Sequence, residues 1–386
     1  MTETSDQRLW EVIFTPKSMI SLAFALQAIQ VGSLISRLPE VQRDLALGEF
    51  EFSLVLMAAT LGFLLSTPFT DRVIRKLGIK PTFHIFFLFC AVVQAIAILM
   101  PSGIGLGMAL FFAGIAGNYT NIAINIEADR IEARDGVRIM NFCHGIWAVA
   151  LLLSTGLATV LIAIGASVFT HFLGVAIATG LCLVLIQAKL DAAPPRAGIA
   201  KKQTWAIPDK STFILLGYLS YAVVLEWLIR GWAIIYLRDT FAATDTYASL
   251  ALPVMISAIA FARLRADTWI SHWGVIKVTT ALLLGSCMGI VLLVVAPSPE
   301  LAFAGLIFIG LGISVSYPVA FSTAARWGGA NAADRVAALS LIQQFLLIAI
   351  PPIFGILAQV SSLRIGFAVL ILFPIMGFFF NRKLAD

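Results

Sequence analysis

A carboxylate and a guanidinium lie one helical turn apart in an otherwise apolar stretch of the sequence. Glu226 and Arg230 are four residues apart, which is pairing distance on a helix. Burial favours the neutral form of a carboxylate and a nearby cation favours its charged form, and a proton carrier in a membrane needs a balance of the two. A permanent structural ion pair explains the same two residues equally well. Proton coupling and a structural pair are therefore both open.

A stripe of amide side chains marks a second region with binding chemistry. Gly114, Asn118, Asn121 and Asn125 recur at steps of four, three and four, so they share one helical face. Asparagine offers both donors and acceptors, which suit a polar solute. Polar stripes on apolar helices mark either a cavity or close helix-to-helix contact. We interpret this stripe as cavity-lining, with hydrogen bonding between helices as the alternative.

The first apolar segment carries a similar stripe. Gln27, Gln30 and Arg37 are spaced by three and seven residues and share one helical face. The two glutamines predict substrate contact, and tight packing is the alternative. Arg37 lies near the end of the segment, where it is predicted to form an outer gate or to extend its charge to the membrane surface.

Five further side chains complete the predicted substrate site. A histidine can sense pH or contact a substrate, and for His144 packing against neighbouring helices is the alternative. Aromatic rings can stack on a sugar ring, and they also anchor helices at membrane surfaces. The five residues are His144, Trp147, Tyr221, Tyr317 and Gln343.

Membrane helices must position these side chains, because the composition excludes an ordinary soluble protein. Of the 386 residues 60% are hydrophobic and 12% are charged, and the mean hydropathy is +0.96. A helix crosses a bilayer with about 20 apolar residues. Apolar windows predict an all-α membrane protein with twelve spans, at 18–36, 52–70, 82–100, 104–126, 139–163, 166–187, 211–236, 247–264, 275–296, 299–322, 334–358 and 363–381.

Basic residues are distributed unevenly between the predicted loops. With both termini in the cytoplasm, twenty-one Lys and Arg residues fall on cytoplasmic segments and four on outer ones. This asymmetry predicts a multi-pass protein of the bacterial cytoplasmic (inner) membrane with both termini cytoplasmic. The longest connection is basic and rich in Pro and Ala. The predicted domains are two six-helix bundles, 1–187 and 211–386, joined by a cytoplasmic linker at 188–210.

The two halves of the chain repeat at one fixed offset. Four pairs of matching residues are separated by 196 positions, namely Asp71 and Asp267, Gly78 and Gly274, Gly114 and Gly310, and Arg130 and Arg326. One such match is weak evidence, whereas four at one offset indicate an internal repeat. Two parallel six-helix repeats with a substrate site near the membrane midplane are typical of the major facilitator superfamily, which this chain resembles.

A short segment strengthens that resemblance. Residues 70–80 contain an acidic–basic pair, Asp71 and Arg72, followed by Gly78 and a basic residue, and this pattern resembles the superfamily's loop between the second and third helices. We expect Asp71 at a helix end, where it caps backbone N–H groups and pairs with Arg. A solvated loop that only sets topology is the alternative. The predicted gating residues are Arg37, Asp71, Arg72, Gly78, Arg130, Glu132, Asp267 and Gly274.

A narrower resemblance is carried by spacing. Asn125, Glu132, Gly136 and His144 are seven, four and eight residues apart. This spacing resembles the MosC/YbjJ-like branch of the superfamily, whose members resemble carriers of small polar metabolites. The chain departs from the branch at Asn121 and at residue 231, a glycine, where the branch has acidic residues. The resemblance therefore implies a class of mechanism and does not imply a cationic substrate.

These patterns predict secondary active transport of a small polar solute such as a sugar, a polyol or an amino-acid-like metabolite. No nucleotide-binding or hydrolase motif occurs in a suitable context, so we expect neither an enzyme nor a cofactor. The four cysteines lie apart in apolar windows, so we expect no metal site. The expected partners are the solute, membrane lipid and protons as coupling ion, without nucleic acid, and the expected state is a monomer. A multidrug or metabolite efflux carrier and a receptor without turnover are the alternatives.

Overall fold

The architecture comes from a computed structural model that describes residues 15–194 and 208–384. In this part of the chain twelve helical spans are long and apolar enough to cross a membrane, as predicted. They are α1 (Pro16–Asp44), α2 (Glu49–Leu77), α3 (Ile79–Ala97), α4 (Gly103–Asp135), α5 (Met140–Ala163), α6 (Val168–Lys189), α7 (Lys210–Phe241), α8 (Asp245–Trp273), α9 (Val275–Val295), α10 (Pro299–Gly328), α11 (Asp334–Val360) and α12 (Leu363–Leu384). Spans α8, α10 and α12 each consist of successive helical segments.

Short connections join the spans, and polar side chains at their ends start the next helix. Ser102, Ser167 and Asp209 each accept a hydrogen bond from the backbone N–H three residues further on, at the starts of α4, α6 and α7. These caps satisfy N–H groups that have no partner in the first turn of a helix.

Large apolar side chains cover the outer faces of the helices. Leu264 is 84% exposed, Ile104 is 78% exposed and Phe379 is 74% exposed. Apolar surface of this extent would drive association in water. It is the expected lining towards hydrocarbon, so the protein is a multi-pass membrane protein.

The described chain forms two compact units. Unit 1 contains the residues up to Val41 and those from Ala58 to 194, and unit 2 contains Gln42–Met57 and the residues from 208 onward. The predicted first domain, 1–187, includes residues 42–57. The predicted linker falls mainly on residues 195–207, which lie outside the described residues, so the predicted domain boundaries remain a prediction.

Unit 1 is built around α3, which packs along α4 and α6. Its core is a cluster of buried apolar side chains to which each of the helices α1–α6 contributes. The cluster includes Phe24, Phe83, Ile124, Cys143 and Ile186. Because lipid is as apolar as these side chains, close packing rather than escape from water holds such helices together.

Unit 2 is built around α7, which packs against α10, α11 and α12. In its most apolar window 72% of α7 is buried, against 22% for α11, so α7 is the inner helix of this unit. The segment Gln42–Met57 belongs to the same unit. There Arg43 pairs with Asp245 at 2.7 Å, and the rings of Phe52 and Trp232 meet edge to face at 5.2 Å.

The repeat predicted from the sequence is visible in the backbone. Spans α2 and α8 begin and end 196 residues apart. Gly78 after α2 has φ of 83° and Gly274 after α8 has φ of 81°. In this left-handed region glycine is free of the strain that a Cβ would cause, so both links require glycine for the same reason.

A second pair of glycines permits the same close helix contact in each unit. A Cβ on Gly114 would overlap the carbonyl oxygen of Ala59, and a Cβ on Gly310 would lie 2.7 Å from the carbonyl oxygen of Met255. Ala59 and Met255 are also 196 residues apart. Small residues allow helix backbones to approach closely in membranes, and here the duplicated halves share that device.

The predicted loop between the second and third spans is almost entirely helical. Span α2 extends to Leu77 and α3 begins at Ile79. Asp71 lies inside α2 and pairs with Arg75, one turn further on, at 2.8 Å. The expectation that Asp71 caps a helix end was wrong, because α2 continues past Asp71 to Leu77. The expected pairing with an arginine is present within the helix.

Candidate functional site

Asn118 is fully buried inside unit 1. Its Nδ2 donates to Ser66 Oγ at 2.9 Å and to Thr70 Oγ1 at 3.0 Å, which joins α4 to α2. The amide nitrogen of Asn118 therefore forms hydrogen bonds between two helices, as the packing alternative predicts. Its amide oxygen, Oδ1, has no hydrogen-bond partner in the described part of the chain. A substrate role for Asn118 remains a prediction.

Asn121 and Asn125 lie on the partly exposed side of α4. Both side chains are half-buried, and Asn125 Nδ2 donates to the backbone carbonyl of Asn121 at 2.7 Å. The stripe is thus divided into an enclosed asparagine and two that lie nearer the surface of unit 1.

The two glutamines of α1 bond to three neighbouring helices. Gln30 Nε2 donates to the Phe87 carbonyl at 3.0 Å and to Thr179 Oγ1 at 3.4 Å, and Gln27 Nε2 donates to Thr120 Oγ1 at 3.5 Å. Each such hydrogen bond contributes about 0.5–1.5 kcal/mol net. These contacts hold α1 against α3, α4 and α6.

Arg37 is enclosed by partners within unit 1. Its Nη1 donates to both carboxylate oxygens of Glu40 at 2.7 and 2.9 Å, its Nη2 donates to the Ala166 carbonyl, and its Nε donates to His171 Nδ1 at 3.2 Å. Only 1% of Arg37 is exposed. The interpretation that it extends to the membrane surface was therefore wrong, because Glu40 neutralises its charge inside the unit.

His144 and Trp147 lie near the start of α5. His144 is exposed, and its ring meets the ring of Phe24 edge to face at 5.2 Å. Trp147 is partly buried against the apolar core of unit 1. Both side chains thus contact apolar neighbours, and their substrate roles remain predictions.

Glu226 and Arg230 form an ion pair on α7. Arg230 Nη2 lies 2.5 Å from Glu226 Oε1, and the two side chains are 12% and 17% exposed. Glu226 stands at the middle of this 32-residue helix, about 24 Å from either end at 1.5 Å per residue. An unpaired charge at the centre of a span costs about 2.5–3.5 kcal/mol on insertion scales, so the pairing offsets a substantial penalty.

Two polar side chains from neighbouring helices accompany this pair. Gln343 Nε2 on α11 donates to the hydroxyl oxygen of Tyr317 on α10 at 3.4 Å. Tyr317 lies near Glu226, Arg230 and Arg263. In the described part of unit 2, neither Arg230 Nε nor Gln343 Oε1 has a hydrogen-bond partner. We call Glu226, Arg230, Tyr317 and Gln343 the α7 polar cluster.

Tyr221 lies on α7, five residues before Glu226, and is fully buried. Its hydroxyl donates to the Gly312 carbonyl at 3.1 Å and is hydrogen-bonded to Ser316. This side chain holds α7 against α10, the helix that carries Tyr317. Its substrate role remains a prediction.

The predicted gating residues have different surroundings. Glu132 Oε1 accepts hydrogen bonds from the backbone N–H groups of Ile139 and Met140 at 2.6 and 2.8 Å, so it closes the connection between α4 and α5. Arg72 and Asp267 are exposed. The sequence pattern identified Glu132 but not its bonding partners.

The sequence patterns did not single out Glu127, a buried acid on α4. Glu127 is fully buried, its Oε1 accepts a hydrogen bond from the backbone N–H of Ala193 at 2.8 Å, and its Oε2 has no partner among the described residues. Arg134 also donates to the backbone carbonyl of Asp191, so the chain after α6 is held against α4. The position of Glu127 one turn before Ile131, on the apolar face of α4, is the signal that could have identified it.

Comparison with known proteins identifies transporters over the full length of the chain. No family model matches the chain. An uncharacterized transporter of Sinorhizobium fredii (strain NBRC 101917 / NGR234) is 26% identical over 366 residues, covering 94% of this chain and 96% of the relative. An uncharacterized MFS-type transporter of Yersinia pestis is 22% identical over 347 residues, covering 90% of each chain.

Solved transporter structures match over a similar extent. A variant of the nucleoside transporter NupG has 13% identity and a TM-score of 0.79, covering 96% of this chain and 100% of that one. The chain has the major facilitator fold. A D-xylose–proton symporter with 14% identity and a TM-score of 0.73 shares it, covering 95% of this chain and 96% of that one.

The major facilitator fold accounts for the two parallel repeats seen here. The relatives and the structural neighbours are transporters and not enzymes, and together they support a transporter of the major facilitator type. The narrower MosC/YbjJ-like resemblance remains a prediction.

Proposed function

We propose that the protein is a secondary active transporter that moves a small polar solute by alternating access across the bacterial cytoplasmic membrane, with both termini in the cytoplasm. The α7 polar cluster carries this proposal, because ionisable residues at the middle of apolar helices mark functional sites in membrane proteins. The transporter relatives support it. Two neighbours with this fold, a nucleoside transporter and a D-xylose–proton symporter, support it as well.

Amide, hydroxyl and aromatic side chains form the proposed solute site. They are Gln27, Gln30, Asn118, Asn121, Asn125, His144, Trp147, Tyr221, Tyr317 and Gln343. Asn121, Asn125 and Gln343 rank first among the amides, because their side chains are half-buried whereas those of the other three amides are buried. Amides and hydroxyls combine donors with acceptors, which suits a sugar, a polyol or an amino-acid-like metabolite.

Glu226 is the proposed carrier of a coupling proton. A proton on its carboxylate removes the charge that holds Arg230, and loss of the proton restores the ion pair. Proton binding and release at this position would therefore change the charges presented by the α7 polar cluster.

Gating is proposed for residues near the ends of helices, most of which belong to the pairs repeated at an offset of 196 positions. Gly78 and Gly274 provide the two one-residue links with left-handed backbone. The remaining proposed gating residues are Asp71, Arg72, Arg130, Glu132 and Asp267 near these ends and Arg37 on α1.

Proteoliposomes containing the purified protein test the proposed function. We expect accumulation of a polar solute under an inward proton gradient and exchange of the same solute without a gradient. Asn121→Leu should abolish both activities. Leu264→Ala, at a position 84% exposed on the apolar surface, is the matched control and should transport normally.

The other outcomes identify the alternatives. Binding without flux would indicate a receptor that kept the fold and lost turnover. Transport of lipophilic cations alone would indicate a drug efflux carrier. Unchanged transport by Asn121→Leu would contradict the assignment of the solute site to the amide stripe.

A further inference from the structure

We propose that the solute carries a carboxylate, which replaces Glu226 as the partner of Arg230 when Glu226 takes up a proton. The inference rests on the proposed function and narrows its solute to carboxylates. It is drawn from the bonding of the α7 polar cluster, whose members belong to three helices that pack on one another within unit 2.

The guanidinium of Arg230 has unused capacity for an anion. Its Nη2 donates to Glu226, whereas its Nε has no partner within the described residues. A guanidinium can present two parallel N–H groups to one carboxylate, and this bidentate arrangement is stronger than the single hydrogen bond to Glu226. Arg230 is therefore suited to exchange Glu226 for a better-placed carboxylate.

The exchange keeps the charge of the cluster balanced. In the structure the positive charge of Arg230 is balanced by Glu226. When a proton binds to Glu226, the solute carboxylate supplies the negative charge that the proton has removed. Arg230 is therefore never left as an isolated cation in an apolar environment. Proton and carboxylate consequently enter together and leave together.

The neighbouring groups are compatible with this exchange. Tyr317 is the titratable member of the cluster on α10, and the charged group near it on α8 is Arg263. Arg263 donates its Nε to the Ser314 carbonyl at 3.0 Å. Within the described residues Gln343 Oε1 has no partner, so it can accept a hydrogen bond from a hydroxyl or ammonium group of the same solute.

Matched pairs of small molecules test the inference. Gluconate is compared with sorbitol, and alanine with alaninol, by thermal unfolding of the full-length protein in detergent at mildly acidic and neutral pH. We expect the acid of each pair to stabilise the wild type, and to do so more strongly at acidic pH. The alcohols should bind at least about tenfold more weakly, because the charge-assisted bond to Arg230 is lost.

Three variants distinguish a binding role from a structural one. Glu226→Gln imitates the protonated acid and should bind the carboxylates equally at both pH values. Arg230→Gln should lose carboxylate binding, and Arg230→Lys should keep part of it. If the pair is only structural, Glu226→Gln and Arg230→Gln would both lower the unfolding temperature and neither would change the preference for acids over alcohols.

The outcomes separate this inference from the proposed function. Equal stabilisation by alcohols and acids, or no stabilisation by either acid in both the wild type and Glu226→Gln, overturns the carboxylate assignment. Carboxylate binding without transport in proteoliposomes contradicts the transporter function and leaves the role of Arg230 intact.

Discussion

Residues 30 and 226 correspond to one another in the internal repeat, 196 positions apart. In unit 1 this position is Gln30, an uncharged amide that is 2% exposed and bonds to α3 and α6. In unit 2 it is Glu226, whose partner is Arg230 on the same helix, while Leu34 of unit 1 occupies the position that corresponds to Arg230. At this position the halves therefore share a backbone and differ in chemistry, with a hydrogen-bonded amide in unit 1 and an ion pair in unit 2.

The largest expected effect tests what the halves share. Leucine at Gly114 or at Gly310 would drive a side chain into the backbone of the facing helix. We expect each substitution to cost more than about 3 kcal/mol, beyond the usual range for overpacking. Unfolding in detergent measures the loss. Gly117→Ala, with nothing within 4 Å of the added Cβ, is the control on α4. A tolerated leucine in one unit would show that the shared contact has diverged.

Introducing the ion pair of unit 2 at the corresponding positions of unit 1 tests the difference between the halves. Gln30→Glu places a carboxylate in unit 1 without a cation one turn away, and we expect a loss of about 3 kcal/mol. Adding Leu34→Arg recreates the spacing of Glu226 and Arg230 and should recover part of that loss. Denaturation of the single and double variants measures the recovery. Wild-type stability of Gln30→Glu alone would mean that unit 1 already accommodates a buried acid at this position.

The ends of α4 and α10 provide a third contrast. Glu127 accepts the Ala193 N–H in unit 1, whereas Thr323 stands 196 positions later and Arg326 donates to the Leu384 carbonyl at 3.3 Å. Glu127→Ala leaves a buried N–H unpaired and should cost about 1–3 kcal/mol in thermal unfolding. Glu127→Gln keeps an acceptor and should cost less. Thr323→Ala should also cost less than Glu127→Ala, because Thr323 Oγ1 accepts only a 3.4 Å hydrogen bond from Arg326. Equal losses for Glu127→Ala and Thr323→Ala would remove the contrast.

The smallest expected effect concerns the start of α7. The backbone N–H of Thr212, with help from Arg335, lowers the pKa of Asp209. The stabilisation of the fold by the Asp209 carboxylate is therefore complete above the pKa that Asp209 has in the unfolded chain. It is lost as the pH falls through the pKa of Asp209 in the folded protein. Asp209→Ala should cost about 1 kcal/mol at neutral pH, and the cost should shrink below about pH 4.

The matched control for that experiment is the cap of α4 in unit 1. Ser102 accepts the N–H of Gly105 through a hydroxyl that does not titrate in this range. The cost of Ser102→Ala should therefore not change with pH. A constant cost for Asp209→Ala as well would show that its carboxylate does not stabilise α7 through its charge.

Local patterns in the sequence were sufficient for much of this architecture. Twelve spans could be predicted because insertion into a bilayer depends on the hydropathy of each segment. The pair of Glu226 and Arg230 could be predicted because residues four apart on a helix are neighbours whatever surrounds them. The repeat could be predicted because Gly78 and Gly274 serve backbone conformations that few other residues tolerate.

Helix ends were harder to predict from the sequence. Hydropathy placed Asp71 in a loop, whereas it lies within α2, where it pairs with Arg75. Apolar windows locate the part of a helix inside the membrane, and they contain no information about polar turns beyond it. The same limit applies to the end of α4, which extends to Asp135 instead of residue 126.

The sequence by itself determined which helical face each polar side chain occupies, because that depends only on 3.6 residues per turn. Only the tertiary structure decided what each face meets. Arg37 donates a hydrogen bond to His171, 134 positions away, and Glu127 accepts one from Ala193, 66 positions away. Such partners depend on how helices pack, which is set by the whole unit and not by neighbouring residues. For that reason the sequence predicted an amide stripe on α4, while packing alone enclosed Asn118 and left Asn121 and Asn125 near the surface.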